Sequence, residues 1–163
     1  MRNLTATLCL TLAVLLGSAG VSVSQDFQKG VDAVERRDYA TALREFTPLA
    51  EQGHAVAQYN LGLMYRFGQG VPQDDKTAVK WYTLAAEQGH AFAQYNLGNM
   101  YATGRGVLQD YVYAHMWGNI AASNGDEDGE KLRDLVAEQM TPSQIEKAQD
   151  LARECVKKNY KGC

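Results

Sequence analysis

Ala55-Val56-Ala57-Gln58-Tyr59-Asn60-Leu61-Gly62-Leu63-Met64-Tyr65 returns thirty-six residues later as Ala91-Phe92-Ala93-Gln94-Tyr95-Asn96-Leu97-Gly98-Asn99-Met100-Tyr101. The match extends in both directions without a gap. Upstream, Glu51-Gln52-Gly53-His54 repeats as Glu87-Gln88-Gly89-His90; downstream, Gly68-x-Gly70-Val71 repeats as Gly104-x-Gly106-Val107. A looser third copy follows, with Asp110, Ala114, Trp117, Ala121, Ala122 and Gly125 in the places of Asp74, Ala78, Trp81, Ala85, Ala86 and Gly89. A period of this length marks stacked supersecondary units, each unable to bury its apolar face alone.

Each unit reads as two helices. Ala57, Leu61, Met64 and Tyr65 recur at three- and four-residue steps, which place them on one helical face. Gly68 to Gln73 interrupts that pattern as a loop. Asp74 then stands as an N-cap, and Ala78, Trp81, Tyr82, Ala85 and Ala86 form the expected buried face of the second helix, ended by Gly89. The expected fold is all-α, a solenoid of helix pairs. Within a single domain over 25–163, residues 26–54 read as a degenerate first unit, 55–90 and 91–126 as repeats, and 127–163 as capping helices. Thr141, Pro142 and Gln144 provide the last helix with an N-cap, a first-turn proline and a capping-box partner. Its stripe of Ile145, Ala148, Leu151, Ala152 and Cys155 is expected to close the open end of the core.

The chain has 16 basic and 19 acidic residues, a net charge of −3. That balance leaves no electrostatic footprint for nucleic acid. Residues 1–24 read as a secretory signal peptide: Arg2, an uncharged apolar run from Leu8 to Leu16, then small residues ending at Ser22 and Ser24. Cleavage falls after Ser24 or after Gly20, and an uncleaved membrane anchor is the rival reading. The expectation is a periplasmic or secreted protein with no transmembrane helix in the mature chain. Cys155 and Cys163 would then meet an oxidising compartment, where they are expected to form a disulfide. Closing so short a loop contributes roughly 2–3 kcal/mol by the chain-entropy argument.

Ala-x-Ala-Gln-Tyr-Asn-Leu-Gly-x-Met-Tyr, then Gly-x-Gly-Val, Gln-Asp, Ala-x-x-Trp and Ala-Ala-Glu-Gln-Gly-His together resemble the Sel-one-like repeat, a longer relative of the tetratricopeptide repeat. The resemblance is specific over 55–90 and 91–126. It implies a right-handed αα superhelix that binds proteins or peptides in a groove lined by the first helix of each pair. It also implies an alternative, because some secreted members with one disulfide per repeat have been assigned β-lactamase or cell-wall-binding activity. Those in-repeat cysteines are missing from this sequence.

The two best repeats disagree within their first helices at only four places: Val56/Phe92, Leu63/Asn99, Arg66/Ala102 and Phe67/Thr103. At 100° per residue these fall within one arc opposite the Ala57-Leu61-Tyr65 stripe, with Tyr59, Asn60, Tyr95 and Asn96 in or beside it. Val56, Tyr59, Asn60, Leu63, Arg66, Phe67, Phe92, Tyr95, Asn96 and Asn99 are therefore the candidate partner-binding residues, and an ordinary solvated face is the rival reading. His54 and His90 read as turn residues repeated with their unit. Asp126 to Glu130 lacks the full ligand spacing of a calcium loop. No catalytic residue, metal site or cofactor is expected. The function implied is that of a non-catalytic scaffold for a protein or peptide of the cell envelope.

Overall fold

The computed structural model describes residues 23–163. The signal-peptide expectation therefore lies almost wholly outside the described residues. The described chain is helical and contains no strand. Helix α1 covers 23–35 and is followed by α2 (Tyr39–Glu51), α3 (Ala55–Phe67) and α4 (Asp75–Ala86). Then come α5 (Ala91–Thr103), α6 (Tyr111–Ser123), α7 (Glu127–Ala137) and α8 (Pro142–Lys157). The architecture is the expected solenoid of helix pairs.

Two kinds of N-cap alternate from α2 to α6. Asp38, Asp74 and Asp110 start the second helices, each carboxylate accepting backbone N–H bonds from the first turn. His54 and His90 start the first helices α3 and α5, and their Nδ1 atoms accept from Ala57 N and Ala93 N. The expected N-cap at Asp74 is thus present. Gly68 and Gly104 end α3 and α5 in the left-handed conformation, at φ 66° and 68°. Side chains with a Cβ rarely adopt that backbone, so the loop glycines recur with the period.

Buried amides tie one unit to the next. Gln58 Nε2 donates to Ala50 O at 3.0 Å, and one repeat on Gln94 Nε2 donates to Ala86 O at 3.1 Å. Gln88 Nε2 in turn donates to Gln58 Oε1, and Asn124 Nδ2 to Gln94 Oε1. Each pair is thirty residues apart, so the bond links the end of a second helix to the preceding first helix. Gln94 is fully buried, and these bonds are what make its burial tolerable.

The apolar core follows the same units. Ala42, Phe46, Leu49, Leu61 and Met64 form one cluster; Tyr82, Leu97, Met100, Met116, Trp117 and Ile120 form the next. Trp81 departs from expectation, being only half-buried at the edge of the first cluster. Tyr65 is likewise half-buried.

Helix α8 buries Ala148, Ala152 and Cys155 of its expected stripe. It packs on α6, and Ala152 and Cys155 join the cluster that holds Trp117. Its disulfide, Cys155–Cys163, has a Cα–Cα distance of 5.6 Å. The loop so closed reaches back to earlier turns: Tyr160 Oη donates to Asn124 Oδ1 at 3.1 Å and Gly162 N to Glu87 Oε1 at 2.9 Å. The tail thereby extends the Gln94–Asn124 amide ladder by one more member. Among the described residues no helix is long and apolar enough to cross a membrane.

Candidate partner-binding face

The first helices α1, α3, α5 and α7 meet side by side through aromatic and polar contacts. Phe27 of α1 stacks on His54 at 4.9 Å, and Tyr59 of α3 stacks on His90 at 4.7 Å. Phe92 lies 6.3 Å from the Tyr59 ring. His54 and His90 therefore have two tasks: each caps its own helix and carries an aromatic ring of the preceding first helix.

Within the predicted arc, Phe67 and Phe92 are the open residues, 58% and 59% exposed, with Val56 at 37%. Tyr59, Asn60, Leu63, Arg66, Tyr95 and Asn99 are half-buried. Asn96 is buried at 7%. It differs from the expectation because a solenoid helix has lateral neighbours as well as a core beneath it. Arg66 crosses from α3 and its Nη1 donates to Asn96 Oδ1, while Asn96 Nδ2 donates to Phe92 O. Leu63 likewise packs against the Tyr82–Trp117 cluster, and Tyr95 against Ala114, Leu132 and Val136.

Arg66 is the electrostatic feature of this face. Among the described residues no carboxylate pairs with it, and its Nε is buried without a hydrogen-bond partner. The Tyr82 hydroxyl is buried beside it; burial pushes that phenol far above its ordinary pKa, against the opposing pull of the Arg66 guanidinium. Burial also raises Tyr59, whose hydroxyl feels the charge of Asp126. Asp126 itself caps α7 through Oδ1, which accepts from Gly129 N.

Beyond α5 the face changes character. Asn99, Ala102, Thr103, Tyr111, Leu132, Leu135, Val136 and Gln139 line an open cleft of about 230 Å³ between α5 and α7. Leu132 and Leu135 were not singled out in the sequence, and Ala102 was noted only as the counterpart of Arg66. The available signal was the Arg66/Ala102 disagreement, since it removes a long side chain from one crevice and not the other. No group of three or more His, Cys, Asp or Glu suited to a metal ion occurs among the described residues.

Burial gives the histidines a testable consequence. His90 and His115 are both held below the ordinary imidazole pKa, chiefly by desolvation, and Arg133 adds to it at His115. In the unfolded chain they would take up protons at about pH 6.5, above the pH at which they do so in the fold. Stability is thus full above about pH 6.5 and falls as the pH drops below it. The melting temperature is expected to be lower at about pH 5.5 than at about pH 7.5. Asn at position 90 caps a helix without titrating in this range, so His90→Asn should show a smaller acid-induced drop. A drop equal to that of the unaltered protein would exclude a role for His90.

Alternating helix pairs, a fixed period and a shared lateral face define an α-helical repeat protein. Residues 55–90 and 91–126 each match the Sel1 repeat family, so the chain carries two consecutive Sel1 repeats. Solved structures agree. A protective antigen of uropathogenic Escherichia coli displaying an SLR fold superposes with a TM-score of 0.79 at 29% identity, over 85% of this chain and 31% of that one. A Sel1 repeat protein from Oxalobacter formigenes gives 0.63 at 32% identity, over 65% and 44%. By sequence, an uncharacterised protein of Neisseria meningitidis is 59% identical over 34 residues, 21% of this chain and 7% of its own. The rat DAP3-binding cell death enhancer 1 is 36% identical over 71 residues, 38% of this chain and 14% of its own. This chain thus spans less than half the length of each of these relatives.

Proposed function

We propose that the protein is an exported, non-catalytic scaffold that binds a protein or peptide of the cell envelope across the face formed by α3, α5 and α7. The observation carrying this reading is the pair of exposed aromatics on one face, Phe67 beneath the Arg66 guanidinium and Phe92 beside Tyr59 and His90, with no carboxylate paired to Arg66 among the described residues. Aromatic and arginine side chains dominate the energetics of protein interfaces. Exposed rings set among half-buried Tyr59, Leu63 and Tyr95 provide an amphipathic surface on a rigid scaffold. The repeat class itself supports protein partners. Export is supported by the Cys155–Cys163 disulfide, a bond that persists in oxidising compartments.

The test is site-specific photo-crosslinking in intact cells, with a benzophenone amino acid at Phe92 or at Leu84. Leu84 is also exposed, at 43%, but belongs to the second helix α4. Adducts from position 92 and not from position 84 are expected, in the fraction released from the envelope. Equal adducts from both positions, or confinement of the protein to the cytoplasmic fraction, would overturn the reading.

A further inference from the structure

The two repeats place different chemistry at one position, and the difference points to a particular partner. In the crevice between α3 and α5, Arg66 reaches Asn96. One repeat on, the corresponding residues are Ala102 and Leu132, and the crevice between α5 and α7 stands open as the 230 Å³ cleft. A cation in one crevice is thus followed by an apolar hole in the next. That hole is smaller than the roughly 300–1,000 Å³ of small-molecule pockets, a size suited to a single side chain.

Asn96 positions the Arg66 guanidinium without neutralising it. A purely structural arginine at a half-buried site is normally matched by a carboxylate, because an uncompensated charge is costly there. Here an amide holds it, Nε has no partner, and exposed Phe67 lies under the guanidinium at 5.3 Å. Among the described residues no carboxylate pairs with that charge, which leaves an ion pair for an incoming anion to make.

Building on the proposed first-helix face, we infer that the partner is an extended peptide segment bearing a carboxylate and, about three residues away, a bulky apolar side chain. The carboxylate pairs with Arg66 and the apolar group enters the Ala102–Leu132 cleft. The spacing follows from neighbouring helix axes about 10 Å apart and an extended chain rising roughly 3.3 Å per residue.

The probe is a fluorescent peptide, acetyl-Gly-Glu-Ala-Ala-Phe-Gly-amide, titrated into the purified protein by anisotropy and mapped by amide chemical shifts. It should bind about tenfold more tightly than its Gln-for-Glu or Ala-for-Phe counterparts. Arg66→Gln should erase the Glu preference and keep the Phe preference. The double substitution Ala102→Arg with Leu132→Asn copies the Arg66–Asn96 pair into the next crevice; it should erase the Phe preference and keep the other. No binding, no preference for Glu over Gln, or a preference that survives Arg66→Gln would overturn the inference. In that event, shifts still confined to α3, α5 and α7 would preserve the first-helix reading. Shifts on α4, α6 and α8 would remove both.

Discussion

Trp117→Ala is expected to destabilise the protein by about 3–5 kcal/mol and lower its melting temperature by roughly 10 °C or more. Trp117 is 2% exposed and shares its cluster with Tyr82, Leu97, Met116 and Ile120, joined by Ala152 and Cys155 of α8. Truncation would leave a void within a cluster built from α4, α5, α6 and the disulfide-closed α8. Such a site relaxes poorly, and the cavity term stays near its upper range. Trp81 holds the corresponding place one repeat earlier but lies half-open at the edge of the Phe46 cluster. Trp81→Ala should therefore cost clearly less. Thermal melting of the two variants decides the matter, and equal losses would refute the unequal burial of these two equivalent residues.

That contrast shows what periodicity can and cannot convey. Recurrence of Ala57, Leu61 and Met64 as Ala93, Leu97 and Met100 located the core stripe, and all six are buried. Local chemistry located the caps: Asp74 and Thr141 accept the first-turn N–H bonds that their side chains suit. Lateral packing was not legible, because it depends on residues thirty apart that a single helical wheel cannot bring together. Asn96 belonged to the outward arc on the wheel, yet Arg66 of the neighbouring helix covers it. Gln58 and Gln94 look like solvated polar residues in a row of letters, yet they are the buried links between units. The contacts of the tail beyond α8 were also hidden. An amphipathic stripe says that a surface is covered, not which one, and Tyr160 with Gly162 directs the tail towards Asn124 and Glu87.

The departure of the third copy from the pattern has a steric meaning, and Gly129→Leu is expected to expose it. In the earlier unit the Tyr82 ring fills the space beside Gly62, where an added Cβ would lie 2.5 Å from the ring. At the corresponding site the ring is replaced by Gly118, and α7 moves into the vacated space. A Cβ on Gly118 would meet Gly129 O at 3.0 Å, and one on Gly129 would meet Ala121 Cβ at 2.7 Å and Ala122 N at 2.9 Å. These neighbours are backbone atoms and a Cβ, with no rotamer through which to give way. Leucine at 129 must therefore push α7 off α6. The cost should be about 3 kcal/mol, at the upper end for overpacking, despite a helix-propensity gain of about 1 kcal/mol over glycine. Hydrogen exchange should show α7 losing protection while α2 and α3 keep theirs, and a melting temperature unchanged from the parent would sink the argument. Leu132 and Val136 of α7 form one wall of the cleft beside Ala102. The same substitution should then abolish the preference for an apolar side chain in a bound peptide and leave the Arg66-dependent preference for a carboxylate intact. The two halves of the proposed binding face rest on different helix contacts, so damage to one need not reach the other.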